Sequence, residues 1–227
     1  EVLCGISYNL YSDEILGIVG ESGSGKSVAS LAIMGLLPVK SGVTTLGEVM
    51  FNAENLIDCS QKQLESIRGK KIAMIFQEPM SALNPSICCG KQVKEILLQH
   101  TNITTKEANE EVIRLFNAVK LPEPKKTYKK YPHEISGGQQ QRVMIAMAIA
   151  CKPQILIADE PTTALDVTVQ REIIALLKTL QKEFKMSVVF ISHDLALVSE
   201  IADRILVMYK GAIVEKGATK SVFKNPQ

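Results

Sequence analysis

The chain alternates short apolar runs with longer segments in which apolar residues recur at helical spacing. Helical periodicity begins near Ser27 and returns at residues 138–150 and 167–184, with Asp166 at the N-cap position of the last segment. Four runs have the length and composition of buried strands, and they lie at Ile15–Val19, Ile72–Phe76, Ile155–Ala158 and Ser187–Ile191. Because strands that alternate with helices are joined by right-handed crossovers, this order predicts an α/β fold with a parallel sheet.

Both ends of the chain and residues 38–71 follow other patterns. Residues 1–14 place apolar side chains at alternating positions and predict an edge strand that leads into Ile15–Val19. Residues 38–71 contain turn signals and a short helical pattern, which together predict an N-terminal antiparallel β portion and a connector. Near the end of the chain, Lys210-Gly211 predicts a hairpin whose strands lie at Ile205–Met208 and Ala212–Glu215.

Amphipathic helical patterns fill residues 80–136. Thr104 and Glu107 have the spacing of a capping box at the start of the second helix. We interpret residues 80–136 as a helical subdomain inserted into a core formed by residues 1–79 and 137–227, so that all 227 residues make one domain. The only basic cluster of this segment, which we expect to be a solvated loop, consists of Lys125, Lys126, Lys129 and Lys130.

Length, charge and cysteine content narrow the class of protein. The chain has 26 basic and 24 acidic residues, and its net charge of +2 argues against a dominant surface for nucleic acid. Five cysteines fit neither a disulfide framework nor a C-x-x-C metal pattern, so we expect a reducing cytosol. No apolar run approaches the ~18 residues that span a bilayer, so any membrane connection is expected through another subunit. Because the chain opens at Glu1 and ends in a polar stretch, we expect a fragment or a trimmed chain.

Residues 20–27 have the full spacing of a phosphate-binding loop, G-x-x-x-x-G-K-S, directly after the first apolar run. Glycines let such a loop aim several N–H groups at one anion, and the dipole of the following helix adds positive charge. The motif assigns Lys26 to the β and γ oxygens of a nucleotide and the Ser27 hydroxyl to Mg²⁺. A glycine-rich turn without a ligand is the alternative, which the apolar helix after Ser27 disfavours. The residues expected at the nucleotide are Gly20, Glu21, Ser22, Gly23, Ser24, Gly25, Lys26, Ser27 and Val28.

Polar side chains also follow two later strands. Asp159 and Glu160 end the run Ile155–Ala158, a pattern typical of a central parallel strand that delivers acids to a nucleotide site. We expect Asp159 to approach Mg²⁺ through its water shell and Glu160 to face the attacking water. A lone histidine such as His193 is more often a satisfied core residue, but its Ser-His-Asp context after a buried strand favours a role in the site.

Taken together, these motifs resemble those of the ATP-binding subunits of ABC transporters, and they occur in the order of that family. The further motifs are Gln77 at the Q-loop position, the signature Ile135-Ser-Gly-Gly-Gln139, the D-loop Thr163-Ala-Leu-Asp166 and His193 at the switch position. The signature has Ile135 where leucine is usual. The segments Gln77–Pro85 and Tyr131–Ser136 resemble, more narrowly, the branch that imports oligopeptides, dipeptides or nickel.

The resemblance implies an ABC ATPase fold and ATP hydrolysis. Its catalytic residues would be Glu160 as general base with Lys26, Gln77 and His193, and Ser27, Gln77 and Asp159 would serve Mg²⁺. The N–H groups of Ser136, Gly137 and Gly138 precede a helix and form a second anion site, which Gln139 completes. The resemblance implies that this signature closes on the ATP of a second ATPase subunit in a head-to-tail dimer. The other implied partners are transmembrane permease subunits and, indirectly, an external substrate-binding protein, with the ATPase on the cytoplasmic face of the inner membrane.

Other functions remain open from the sequence. An exporter of lipids or lipoproteins competes most closely, and only the branch motifs argue against it. A nucleic-acid-acting ABC ATPase is expected to carry a long coiled coil, zinc cysteines or a second ATPase domain, and a phosphate-loop kinase has no need of residues 136–139. Neither Tyr8 nor Tyr11 is assigned to adenine, and the transported substrate and the identity of the second ATPase subunit stay open.

Overall fold

The computed structural model describes residues 2–37, 46–77, 82–163 and 165–224. Its main element is a six-stranded mixed sheet, whose strands are β1 (Ile15–Gly20), β4 (Ile72–Ile75), β5 (Ile155–Asp159), β6 (Ser187–Ser192), β7 (Arg204–Tyr209) and β8 (Ala212–Ala218). The strand order is β4-β5-β6-β1-β7-β8. The first five strands run parallel to their neighbours, and β8 pairs antiparallel with β7. The predicted parallel sheet and C-terminal hairpin are confirmed.

Helices connect these strands, and the sequence patterns predict most of them but not those at residues 195–201 and 219–224. They are α1 (Lys26–Ile33), α2 (Gln61–Ile67), α3 (Cys89–His100), α4 (Thr105–Ala118), α5 (Pro124–Thr127), α6 (Gly137–Ile149), α7 (Val167–Phe184), α8 (Leu195–Ile201) and α9 (Thr219–Lys224), with 3-10 turns at Leu56–Asp58 and Pro132–Glu134. The predicted capping box begins α4, because Thr104 and Glu107 each accept the other's backbone N–H. Asp166 caps α7 by accepting from the N–H of Val169 at 3.0 Å.

The sheet buries apolar side chains on both faces, since successive strand residues point to opposite sides. On one face, Ile15 and Val19 join a cluster that also contains Phe116 of α4 and Ile173 of α7. On the other face, Leu16 belongs to a second cluster that includes residues from the 3-10 turn and α2. Apolar residues of α3, α4, α6 and α7 therefore pack together with the sheet in one continuous core. The proposed boundaries of the helical subdomain, residues 80–136, stay a prediction.

The predicted edge strand in residues 1–14 is wrong for residues 2–14, which contain no strand. Left-handed backbone at Gly5 (φ 72°) and Asp13 (φ 59°) interrupts the extended conformation that a strand requires. The alternating residues Ile6, Tyr8 and Leu10 pack instead on the second cluster, together with Leu3, whereas Val2 is exposed. Burial on the face of the sheet therefore produces the same alternation as an edge strand.

The predicted antiparallel β portion of residues 38–71 is short in the part that the structure describes. β2 (Met50–Phe51) and β3 (Glu54–Asn55) form a two-stranded antiparallel sheet, and α2 follows them. The turn signals at residues 38 and 42 lie outside the described residues, as do residues 78–81 of the branch motif and residue 164 of the D-loop.

The basic cluster is only partly a loop. Lys125 and Lys126 lie in α5, while the exposed Lys129 follows that helix. The backbone carbonyls of Lys130 and Tyr128 accept the first N–H groups of α3 at 2.8 and 3.0 Å. Across the described ranges, no helix is both long and apolar enough to cross a membrane. All five cysteines are free thiols.

Candidate active site

Four neighbouring parallel strands bring their carboxyl ends to one edge of the sheet. The phosphate loop follows β1, Gln77 lies two residues beyond β4, Asp159 ends β5, and His193 follows β6. Side chains that are far apart in sequence meet at this edge because parallel strands all end on the same side. The arrangement gathers a cation, two carboxylates, an amide and an imidazole beside a glycine-rich loop.

Two positions of the phosphate loop require glycine. A Cβ at Gly20 would lie 2.2 Å from the carbonyl oxygen of Met208 in β7, which no side chain tolerates. Gly25, at φ 99°, is the N-cap of α1 and adopts a conformation that favours glycine. Glu21 and Ser22 are exposed on the outer side of the loop, whereas Ser24 is buried. The loop therefore turns tightly between β1 and the N-terminus of α1.

The Lys26 ammonium is bound by the loop itself. Its Nζ donates to the carbonyl oxygens of Gly20 and Glu21, both at 2.8 Å, and to Oγ of Ser24 at 3.4 Å. Burial lowers the pKa of Lys26 from its ordinary value, although the charges of Glu160 and Asp159 partly oppose this effect. These two carboxylates place compensating negative charge opposite a buried cation.

Asp159 is the best candidate for a metal ligand. Its side chain is buried, and its Oδ1 has no hydrogen-bond partner among the described residues. Burial raises the pKa of Asp159, the neighbouring charge of Glu160 adds to the increase, and a hydrogen bond from Ser27 and the charge of Lys26 oppose it. A buried, unpaired carboxylate oxygen beside a hydroxyl fits Mg²⁺, which prefers oxygen ligands and keeps part of its water shell. The described residues contain no cluster of three or more His, Cys, Asp or Glu side chains that could hold a metal by themselves.

Three donors hold the carboxylate of Glu160. Oε2 accepts from Nε2 of Gln77 at 3.1 Å and from Oγ1 of Thr163 at 2.9 Å, while Nδ1 of His193 lies 3.2 Å from Oε1. Burial acts to raise the pKa of Glu160, but the hydrogen bonds from His193 and Thr163, with the charges of His193 and Lys26, outweigh it. The pKa of Glu160 therefore lies below its ordinary value, and the group is a carboxylate at neutral pH.

The backbone also fixes Glu160. Its φ of 46° is left-handed, which is uncommon for a residue other than glycine and costs of order 1–3 kcal/mol. Its N–H donates to the carbonyl of Ile191 in β6 at 3.0 Å, one residue beyond the ladder between β5 and β6. This bond and the turn that follows aim the side chain across the ends of β4 and β6.

The predicted second anion site begins α6. Ser136 is the N-cap and forms a capping box with Gln139, with both hydrogen bonds at 3.3 Å. Gly137 and Gly138 supply the first N–H groups of the helix, which have no intrahelical acceptor. A Cβ at Gly138 would lie 2.9 Å from Cγ1 of Val169, so this end of α6 is close to the start of α7. In the described part of the chain, no hydrogen bond joins these residues to the phosphate loop.

The structure thus brings together part of the predicted set. Gln77, Glu160 and His193 are in direct contact, and Lys26, Ser27 and Asp159 lie beside them. Residues 136–139 begin α6, and their role as a second anion site stays a prediction. Sequence reasoning gave no role to Thr163, whose hydroxyl contacts Glu160; a Thr three residues after a site carboxylate, across a Pro-Thr turn, is the signal that could have found it.

The family profile described as ABC transporter matches residues 3–163. The chain is 48% identical over 227 residues to the oligopeptide transport ATP-binding protein OppD of Bacillus subtilis, and it covers 63% of that protein's length. It is also 48% identical to the OppD of Escherichia coli K12, covering 97% of this chain and 65% of that protein. For the glutathione import ATP-binding protein GsiA of Escherichia coli, the identity is 48% and the chain covers 36% of that protein. The chain therefore spans less than two thirds of the length of these relatives.

Two solved structures share the fold. A dimeric structure of the ATP-binding cassette MJ0796 in a post-hydrolysis state, bound to ADP and Pi, has a TM-score of 0.84 and 30% identity. That likeness covers 96% of this chain and 90% of the cassette. The structure of cbiO1 from Clostridium perfringens, part of the complex cbiONQ, has a TM-score of 0.85, 28% identity and coverages of 99% and 84%.

Proposed function

Because the chain belongs to the ABC transporter family, we propose that it hydrolyses ATP to energise the import of peptides or related small solutes through a partner permease. The observation that carries the proposal is the carboxylate of Glu160, which Gln77 and His193 hold beside the phosphate loop at the carboxyl edge of the sheet. The names of relatives such as OppD support peptides as the transported class.

Nucleotide binding uses residues 20–28. The loop N–H groups and the start of α1 surround the phosphates, and the Lys26 ammonium reaches the β and γ oxygens. Ser27, Gln77 and Asp159 would hold Mg²⁺, which supplies charge neutralisation on the phosphates when it is bound. The unpaired Oδ1 of Asp159 supports this assignment.

Hydrolysis relies on Glu160 as general base. Its lowered pKa keeps it ionised at neutral pH, so it is ready to accept a proton from the attacking water. His193 lies 3.2 Å from Oε1, the oxygen opposite Thr163 and Gln77. We expect the same side chain to hydrogen-bond the γ-phosphate of bound ATP. Preorganised donors of this kind stabilise charge that develops in the transition state.

The signature residues complete the site of a second subunit. Ser136, Gly137, Gly138 and Gln139 begin α6 and make no hydrogen bond to the phosphate loop among the described residues, so we assign them to the ATP of a partner ATPase. We propose a head-to-tail dimer that ATP closes and hydrolysis releases. Its opening and closing drive transmembrane permease subunits from the cytoplasmic face of the inner membrane, and an external substrate-binding protein delivers the solute.

Replacing the base tests the proposal. Glu160→Gln keeps the shape of the side chain but cannot accept the proton, so turnover is expected to fall by about 10²–10⁴, roughly 3–5 kcal/mol. ATP affinity is expected to stay the same, and ATP is expected to promote association of the variant with its partner ATPase. Glu183→Gln, on the exposed side of α7, is the matched control. Normal hydrolysis by Glu160→Gln would remove Glu160 from the base role.

Transport is tested separately in vesicles. The chain is reconstituted with its permease subunits, and ATP-dependent uptake of a labelled peptide is measured. Uptake that is abolished by Glu160→Gln supports import, whereas ATP-dependent extrusion of lipid would overturn it.

A further inference from the structure

A tight turn links Glu160 to Thr163. The N–H of Thr163 donates to the carbonyl of Glu160 at 3.2 Å, and the intervening residues Pro161 and Thr162 are buried. Proline suits the second position of such a turn because its φ is already fixed. The backbone therefore closes the turn without help from the Thr163 hydroxyl, which is free to serve the carboxylate.

The Thr163 hydroxyl makes one hydrogen bond among the described residues, to Oε2 of Glu160 at 2.9 Å. Gln77 shares this oxygen but reaches it from the end of β4, 83 residues away in sequence, and its side chain is exposed. His193 contacts the other oxygen and comes from the end of β6. Of the three donors, only Thr163 belongs to the same turn as Glu160.

A local donor keeps its contact when distant elements move. Contacts between residues three apart cost little chain entropy, whereas contacts of Gln77 and His193 depend on the relative positions of three strands. A general base also needs one lone pair free for the water that it deprotonates, and Oε1, which faces His193 alone among the three donors, offers one. If the exposed Gln77 leaves Oε2, the carboxylate is still oriented by Thr163.

We propose that Thr163 is a positioning residue for hydrolysis: its hydroxyl holds the Glu160 carboxylate in its working orientation when Gln77 leaves. The inference rests on the proposed ATP hydrolysis. The charged groups that face Glu160 are His193, Lys26 and Asp159, and none of them lies in the same turn. Loss of the hydroxyl therefore removes no formal charge from the site, but it removes orientation and one of the hydrogen bonds that lower the pKa of Glu160.

Thr163→Val tests the inference because valine keeps the branched shape and removes the donor. The turnover number kcat is expected to fall about tenfold to a hundredfold, since misplacing a catalytic group by a fraction of an ångström has effects of this size. The dissociation constant for ATP and the thermal midpoint of unfolding are expected to stay unchanged. Thr163→Ser keeps the donor and is expected to restore most of the turnover, which a purely steric role of the side chain would not predict. Thr163→Ala gives the same reading if valine disturbs the turn.

A double variant separates positioning from a general structural effect. In the Glu160→Gln background there is no base to orient, so Thr163→Val is expected to cause no further loss of residual turnover. An additional tenfold loss there, or full activity of Thr163→Val alone, would overturn the inference while the proposed ATPase stands. A wild-type chain that fails to hydrolyse ATP with its partner subunit would overturn both.

Discussion

Two neighbouring glycines of the signature are expected to respond to alanine in opposite ways. Neither Gly137 nor Gly138 has a left-handed backbone, so alanine is allowed at both. Among the described residues, a Cβ at residue 137 would meet Leu165 Cδ2 alone, at an ordinary 3.8 Å, whereas at residue 138 it would lie 2.9 Å from Cγ1 of Val169. No contact in the described part of the chain therefore requires glycine at residue 137.

The size of each effect follows from these contacts. Alanine is the better helix former, so Gly137→Ala is expected to raise the free energy of unfolding by about 0.5 kcal/mol. This value is the lower end of the range for a helix interior, because residue 137 lies at a helix terminus. At residue 138 the same gain is opposed by the overpacking of Val169, which costs about 1–3 kcal/mol. Gly138→Ala is therefore expected to lower the free energy of unfolding by roughly 0.5–2.5 kcal/mol.

Function is expected to separate from stability at Gly137. The added methyl group occupies the space in front of the first N–H groups of α6, where the γ-phosphate of the partner's ATP is proposed to lie. When Gly137→Ala is added to the Glu160→Gln chain, its ATP-dependent association with the partner ATPase is expected to weaken at least about tenfold, or 1.4 kcal/mol. Urea unfolding measures the change in the free energy of unfolding, and sedimentation with ATP measures the change in association. A Gly137→Ala variant that is less stable than the wild type, or that associates as tightly, would refute the reasoning.

Two further predictions concern buried charges. Arg204→Met leaves the buried Glu14 without the guanidinium nitrogen that lies 3.1 Å from both its oxygens. Urea unfolding is expected to show a decrease of about 2 kcal/mol in the free energy of unfolding, which is less than for a fully buried pair because Arg204 is partly exposed. A Glu14→Gln/Arg204→Met double variant should recover part of this decrease, and a decrease below about 0.5 kcal/mol for Arg204→Met would contradict the pairing. Asp159→Asn is expected to raise the free energy of unfolding at pH 7. Burial raises the pKa of Asp159 in the folded chain, so the carboxylate costs stability once the pH has risen through that pKa. The neutral asparagine does not carry this cost. The advantage should vanish below the unfolded pKa of about 4, and an advantage that persists at pH 3 would show that charge is not its cause.

The sequence allowed most of the elements to be predicted because their signals are local. The apolar runs at β1, β5 and β6 are buried on both faces, so they are continuous, and Thr104 and Asp166 mark helix starts by their own hydrogen bonds. The prediction of an edge strand at residues 1–14 was wrong because the signal used for it is ambiguous. Alternation reports that one side of a segment is buried, and it does not distinguish pairing at the edge of a sheet from packing on its face.

The site could be predicted as a set of residues but not as a set of contacts. Gln77, Glu160 and His193 follow strands, and the rule that parallel strands end at one edge places them together. Which oxygen each donor takes depends on the left-handed backbone of Glu160 and on the turn to Thr163. These depend on side-chain geometry after folding, which periodicity and spacing do not contain.

The hydrogen bonds of Lys26 affect how strongly the phosphate loop can attract an anion. Its ammonium is satisfied by two carbonyl groups of residues 20 and 21, so the buried cation does not need a phosphate to keep the loop in shape. An incoming anion replaces neutral acceptors that are already in place, and the free energy of binding records only the difference between the two sets of bonds. The Lys26 side chain thus stabilises the conformation of the loop through its own hydrogen bonds. Part of the attraction between its charge and an anion is offset by the hydrogen bonds that the anion replaces.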